Sequence, residues 1–139
     1  MEIIPHSRPT IDQEETAAVI SVLQSGQLAQ GEQVLCFEKA LASLIGVVGA
    51  VAVSSGTAAL HLALLALEIG EDDEVVIPSF VCPAILNAIR YVRAVPVLAD
   101  INPETFNMDV RDLRNRLTGK TKASLAPRLK NCTLPPSTK

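Results

Sequence analysis

Apolar residues recur along this chain with two different spacings. Where they fall three and four residues apart they mark one face of a helix, and such patterns predict five helices: from Asp12 to just before Gly26, from about Glu32 to Leu44, from Thr57 for about three turns, from about Pro83 to Val92, and from Asp109 through Leu117. Short continuous apolar runs are typical of buried strands, and they lie at three places: Val51–Val53, Glu74–Pro78 and Ala94–Ala99.

Start and stop signals support these helices. Asp12 and Glu15 have the spacing of a capping box, and Asp109 suits the start of the last helix. Gly26 and Gly46 follow the first two helical patterns, where glycine commonly ends a helix.

Strands that alternate with helices indicate βαβ units, and hence a parallel sheet with right-handed crossovers. The expected fold class is therefore α/β. The composition agrees: 48% of the residues are hydrophobic but only three are phenylalanine and one is tyrosine, so the core is built from small aliphatic side chains. Ligands of such sheets bind at the carboxyl ends of the strands, so residues 54–57, residues 79–82 and Asp100 are expected to open onto one edge.

The turn between the first apolar run and the helix at Thr57 has two interpretations. A helix start carries unpaired N–H groups, so a phosphate would be stabilised at the amides of Gly56, Thr57 and Ala58, and glycine would let it approach the backbone closely. Alternatively, Ser55 merely caps a core helix, which is the commoner use of such a residue.

Charge and cysteine content exclude several classes of protein. The net charge is −3 and no basic stripe is present, which argues against nucleic-acid binding. Three cysteines and two histidines, widely spaced, predict neither a disulfide framework nor a metal site, and a reducing cytoplasm is the natural setting. The N-terminal residues lack the apolar core of a signal peptide, and no apolar run is long enough to cross a bilayer. Three arginines are interpreted as a solvated helix face: Arg111, Arg114 and Arg116.

Familiar nucleotide-binding and hydrolase motifs are absent from the sequence. It contains no G-x-G-x-x-G, no G-x-x-x-x-G-K-[ST] and no G-x-S-x-G. Asp100 suits either a contact to a ribose hydroxyl or the turn that leads into Asn102-Pro103. His61, within an apolar helix, is interpreted as a hydrogen-bonded core histidine.

Several separated segments, taken together, resemble a known family. Residues 50–109, with SRPTI at residues 7–11 and GQLAQGEQVLCFEKALASLIGV at residues 26–47, are similar to the N-terminal part of the DegT-type (DegT/DnrJ/StrS) sugar aminotransferases. The resemblance covers about residues 4–122. It implies the N-terminal part of the large domain of a fold-type-I pyridoxal-phosphate (PLP) enzyme, in which helices flank a mostly parallel sheet.

The resemblance also implies site residues. In the family, the turn that corresponds to Gly56, Thr57 and Ala58 holds the PLP phosphate. At the position of Cys82, many members place an aromatic ring that stacks on the pyridine face of PLP, whereas this chain has a thiol. Phe80 is the nearest aromatic residue in the sequence.

Two catalytic groups of the family are not found in this sequence. Members carry, further along the chain, a lysine that forms a Schiff base with PLP and an acid that pairs with the pyridine nitrogen. The C-terminal part of this chain has four lysines: Lys120, Lys122, Lys130 and Lys139. None of them lies in the sequence context of the family's Schiff-base lysine, so no catalytic residue is assigned. The expected division is residues 1–122 as part of the PLP-binding domain and residues 123–139 as an aperiodic, frayed tail that reflects a truncation or a frameshift, although residues 123–126 could begin a fourth strand.

Three functional hypotheses follow. The first is a cytoplasmic PLP-dependent aminotransferase of sugar or polysaccharide biosynthesis, here a fragment, in which an amino donor and a keto-sugar nucleotide react at a site that a homodimer partner completes. The second is a non-catalytic remnant or a phosphate-ligand binding module. The third is an ordinary doubly wound nucleotide-binding domain, which the missing motifs disfavour.

Overall fold

A computed structural model describes residues 7–127 of the chain. These residues form five α-helices and three β-strands, in the order α1 Gln13–Ser25, α2 Glu32–Ile45, α3 Gly56–Ala66, β1 Glu74–Pro78, α4 Pro83–Tyr91, β2 Val95–Ala99, α5 Val110–Arg116 and β3 Thr121–Ser124. They divide into two compact units, with the boundary between Ala52 and Val53.

The first unit contains α1 and α2, which begin and end as predicted. Asp12 and Glu15 form the capping box, with Glu15 Oε2 accepting from the Asp12 N–H at 2.9 Å. Gly26 (φ 71°) and Gly46 (φ 77°) end the two helices in the left-handed conformation that glycine adopts without strain. Ala42 is the buried residue of α2, whereas Leu44 near its end is 84% exposed.

The second unit is built on a three-stranded parallel sheet in the order β2-β1-β3, which confirms the predicted fold class. β1 pairs in register with β2, from Glu74 opposite Val95 to Pro78 opposite Ala99. Central strand β1 is buried on both faces, as expected for a continuous apolar run in a parallel sheet.

The core of this unit lies between the sheet and helices α3 and α4, which pack against each other. Leu64 of α3 and Ile89 of α4 meet Val75 and Ile77 of β1 there, all at most 1% exposed. Ala88, fully buried in α4, brings little bulk and so lets the helices and strands approach closely.

Residues 51–53 are not a strand, so the prediction of a first strand there was wrong. The N–H of Ala52 donates to Glu38 Oε1 at 2.8 Å instead of to a neighbouring strand. An apolar run makes a strand only where another strand pairs with it, and none of the described residues does so here.

β3 is held at the start of β1 by one carboxylate. Glu74 Oε2 accepts from the hydroxyl of Thr118 and, at 3.3 Å, from that of Thr121. The register then shifts by one residue, so that Val75 faces Ala123. β3 continues to Ser124, two residues past the boundary predicted at residue 122; residues 128–139 of the predicted tail lie outside the described residues.

β2 forms one border of the sheet and includes a proline. The N–H of Val95 donates to Asp73 O at 2.8 Å, toward β1. Since successive N–H groups of a strand alternate in direction, the next residue, Pro96, stands where an N–H would point away from the sheet.

Candidate functional site

The carboxyl ends of β1 and β2 meet at one edge, as predicted for residues 79–82 and Asp100, whereas residues 54–57, expected at the same edge, do not follow a strand of this sheet. The Ser79 N–H, just past the end of β1, donates to Ala99 O at 2.8 Å, and the Ser79 hydroxyl donates to Asp100 Oδ1 at 3.4 Å. Residues 79–82 then lead into α4, whose first residue is Pro83. The segment at residues 79–82 and Asp100 therefore lie together.

Asp100 accepts hydrogen bonds within the turn that follows β2. Its side-chain Oδ1 accepts from the Ile101 N–H at 2.9 Å, and its carbonyl accepts from the Asp109 N–H at 2.8 Å. These contacts agree with the turn interpretation of Asp100.

The predicted phosphate turn begins α3. Ser55 is the N-cap, and its hydroxyl accepts from the Ala58 N–H at 3.1 Å. In the described part of the chain, no acceptor contacts the N–H groups of Gly56 and Thr57. Capping by Ser55 and phosphate binding at this turn are thus compatible. Ser55 pairs with the N–H of Ala58, and the N–H groups of Gly56 and Thr57 remain as donors.

Gly56 keeps the space in front of this turn open. A Cβ added there would meet no described atom within 4 Å, and the residue does not have a positive φ. The surrounding chain therefore does not require glycine at this position, and a ligand at the start of α3 would meet no side chain from residue 56.

An apolar cavity of about 580 Å³ lies at the carboxyl end of β1. Its walls come from the end of β1, the loop to α4, α4 itself, the loop after β2 and the segment after β3. The described lining residues are Pro78, Phe80, Val81, Cys82, Ile85, Phe106 and Pro127. The rings of Phe80 and Phe106 lie 5.8 Å apart, tilted by 53°. The first turn of α3 is not part of this lining.

The resemblance implies a cofactor contact at Cys82, which lines this cavity, whereas Phe106 was not singled out in the sequence. Cys82 is the N-cap of α4, and its side chain is a free thiol exposed beside the cavity. Phe106 lies 24 positions later in the chain, in a loop that carried no functional motif, so only the fold could bring it to this cavity.

Comparison with known proteins decides the family. The family profile for the DegT/DnrJ/EryC1/StrS aminotransferase family matches residues 9–128. The chain belongs to this family.

Solved structures agree with the assignment. Spr1654 from Streptococcus pneumoniae, assigned as a sugar aminotransferase and solved in its PMP form, is 36% identical with a TM-score of 0.85 over 88% of this chain and 31% of its own. An aminotransferase from Psychrobacter cryohalolentis is 34% identical with a TM-score of 0.82, covering 88% of this chain and 32% of its own. A GDP-4-keto-6-deoxymannose-3-dehydratase with a trapped PLP-glutamate geminal diamine is 30% identical with a TM-score of 0.82, covering 88% and 33%. The chain spans about a third of the length of these structures.

The cofactor that the DegT/DnrJ/EryC1/StrS family implies is pyridoxal phosphate, and Spr1654 has been solved in its PLP form. Two separate features of this chain suit different parts of such a molecule. Two unpaired N–H groups at a helix start suit a phosphate, and an apolar cavity with two phenylalanine rings suits a flat heterocycle.

Lys120 and Lys122, the described lysines of the second unit, are exposed and do not line this cavity.

Other predicted features are settled by their surroundings. The prediction that His61 is a core residue was wrong. His61 is half-buried, and its ring contacts the exposed ring of Tyr91 edge-on, with 5.5 Å between the ring centroids. The arginines of α5 are exposed as predicted, with Arg111 near Asp109 and Arg116 near Asp112. Among residues 7–127 there is no cluster of potential metal ligands, and none of the described helices is long and apolar enough to span a membrane.

Asp112 holds the turn at Asp100 through a hydrogen bond, and we expect this contact to make the stability of the fold depend on pH. The Asp100 N–H donates to Asp112 Oδ2 at 2.7 Å, and this hydrogen bond is the main reason that the pKa of Asp112 lies below its usual 3.8. When the pKa of a carboxyl group is lower in the folded state than in the unfolded state, its ionised form stabilises the fold at pH values above the unfolded-state pKa. This stabilisation is lost as the pH falls through the folded-state pKa. Wild type should therefore be more stable than Asp112→Asn above pH 3.8, and this difference should vanish on acidification.

Urea unfolding of both proteins from neutral to strongly acidic pH measures this difference. Glu71→Gln, which neutralises an exposed carboxylate, serves as the control and should show no comparable pH dependence. A wild-type advantage over Asp112→Asn that stayed constant with pH would contradict the prediction.

Proposed function

We propose that this chain is the N-terminal portion of the PLP-binding domain of a sugar aminotransferase, and that it supplies the phosphate cup and one wall of the active site. One observation carries the proposal: among the described residues, no acceptor pairs with the N–H groups of Gly56 and Thr57 at the start of α3. Family membership supports it, since the DegT/DnrJ/EryC1/StrS family is a family of aminotransferases.

The residues of this chain have separate tasks in the proposal. The N–H groups of Gly56 and Thr57 bind the phosphate, aided by the positive end of the α3 dipole. Ser55 holds the turn in place through its bond to the Ala58 N–H, so Ala58 contributes to the phosphate only if Ser55 turns aside. Cys82 borders the apolar cavity that receives the ring.

When bound, PLP supplies the electron sink that allows an amino group to pass from an amino donor to a keto sugar. A lysine amine and an acid for the pyridine nitrogen would come from a longer chain, and a second subunit would complete the site. The free thiols of Cys36 and Cys82 support a reducing, cytoplasmic setting.

A titration of the 139-residue chain, labelled with ¹⁵N, tests the proposal. Addition of PLP should shift the amide signals of Gly56 and Thr57 first, because their N–H groups receive the phosphate. Pyridoxal, which has the same ring without the phosphate, is the matched control and should leave these two signals in place.

Other outcomes would count against the proposal. If PLP and pyridoxal shifted the same amides, the phosphate would not bind at α3. If inorganic phosphate bound as tightly as PLP, with no signal from the cavity residues, the phosphate-ligand binding module would be the better description.

A further inference from the structure

A groove of about 380 Å³ lies between α4 and β2, in the second unit. This α4/β2 groove shares Pro78 and Val81 with the apolar cavity, but its other walls come from different residues of α4 and from β2, at the border of the sheet. It includes no residue of α3, where the phosphate is proposed to bind. The groove is therefore a separate place on this unit.

The walls of the α4/β2 groove are mostly apolar. Pro83, Leu86 and Arg90 are spaced three and four residues apart, so they lie along one side of α4. Pro96 and Leu98, two residues apart on β2, line the groove from the strand. Leu98 is 55% exposed, so the described residues leave this apolar surface largely uncovered.

One cation lies at one end of the groove. Among the described residues that line it, Arg90 is the only charged one, and it belongs to the last turn of α4. Arg90 is exposed and forms no ion pair with any described residue. A guanidinium group without a partner suits a carboxylate, which it can bind through two parallel N–H groups.

The opposite end of the groove repels an anion. Pro83 is the first residue of α4, about 10 Å from Arg90 along the helix axis at the usual rise per residue. Near Pro83 lies Ser79, whose hydroxyl donates to Asp100 Oδ1 at 3.4 Å and so brings a carboxylate to this end. A negatively charged ligand therefore fits in one direction, with its charge at Arg90 and its apolar part toward Pro83.

The shape of the groove restricts the kind of ligand. Pro96 offers no N–H to a further strand, which disfavours an extended peptide paired along β2. A volume of about 380 Å³ with apolar walls and a single convergent charge is typical of a site for a small molecule.

We propose that the α4/β2 groove binds a small carboxylic acid with an unbranched apolar chain, with the carboxylate at Arg90 and the chain against Leu86 and Leu98. This site is additional to the proposed function and does not depend on it, because no residue of the phosphate turn takes part.

The test titrates octanoate into the ¹⁵N-labelled 139-residue chain. The amide signals of Leu86, Arg90 and Leu98 should shift together, and octylammonium, which has the same chain length and the opposite charge, should bind more weakly. In Arg90→Gln the Kd for octanoate should rise about fivefold, as the loss of an exposed ion pair predicts. The matched control is Arg114→Gln, at an exposed arginine of α5 that forms no ion pair among the described residues and does not line the groove, and its Kd should equal that of wild type.

A second pair of variants tests the apolar wall. Leu98→Ser should weaken octanoate and octylammonium alike, whereas Leu117→Ser, at a leucine that is 52% exposed outside the groove, should weaken neither. Equal losses in Arg90→Gln and Arg114→Gln would show attraction by net charge alone and overturn the proposal. Shifts at Phe80 and Phe106 in place of Leu86 and Leu98 would overturn it as well, since the ligand would then bind in the apolar cavity. Either result leaves the response of Gly56 and Thr57 to PLP as a separate question.

Discussion

Leu64→Ala is expected to reduce the free energy of unfolding by about 2–5 kcal/mol, the range observed when a buried leucine is cut back to alanine. Leu64 is 1% exposed and lies between α4 and the sheet, in contact with the core formed by Val75, Ile77 and Ile89. The substitution removes apolar burial and leaves a void that rigid strands cannot close. Since small domains have a net stability of about 5–15 kcal/mol, the loss is a large share of the total. Urea denaturation followed by circular dichroism measures it.

Leu65→Ala provides the matched control on the next residue of the same helix. Leu65 is 49% exposed, so the same change there should cost less than about 1 kcal/mol. Equal losses at the two positions would contradict the packing of α3 described above. A loss at Leu65 that appeared only at high protein concentration would instead show that a second molecule covers this side of α3.

Gly56→Val is expected to weaken the binding of PLP by at least about tenfold, which corresponds to about 1.4 kcal/mol of binding free energy. The valine would add a branched side chain at the residue whose own N–H is proposed to bind the phosphate, and so would hinder close approach of the phosphate to the backbone. The fold should be retained, because the added atoms meet no described neighbour within 4 Å and the backbone at Gly56 has no positive φ. PLP retained after dialysis, measured by absorbance, reports the effect.

Gly119→Val is the control for this experiment. An added Cβ at Gly119 also meets nothing within 4 Å, and this glycine also lacks a positive φ, but it precedes β3 and is not at the start of a helix. PLP binding should therefore be unchanged. Similar losses in the two variants would show that valine acts through the fold and not through the phosphate.

The local elements could be predicted from the sequence because their signals are local. The capping box of α1 lies within four residues, and Gly46 ends α2 by its own backbone preference. β1 was predicted as a buried strand because Val75, Val76 and Ile77 form one apolar run, which suits a strand covered on both faces. In each case the residues that decide the structure are neighbours in sequence.

The remaining features depend on residues that are distant in sequence. The run at residues 51–53 has the composition of a strand, but pairing decides whether it becomes one, and Ala52 instead donates to a glutamate from α2. The conformation of Phe106 follows from the closed loop around Asn102, and its contact with Phe80 follows from the order of the strands. At the start of α3, Ser55 accepts from the Ala58 N–H, and the N–H groups of Gly56 and Thr57 have no acceptor among the described residues. Which of these donors pair could not be read from the sequence.

Pro96 makes the sheet capable of growth in one direction only. A strand that approached β2 from outside would find only the N–H of Leu98 directed toward it, because proline supplies none and the N–H of Val95 is turned toward β1. β3, on the opposite border, contains no proline between Thr121 and Ser124. Any further strand, whether from a longer chain, from a second molecule or from a synthetic peptide, should therefore add more readily beside β3, and a proline introduced into β3 should hinder that addition.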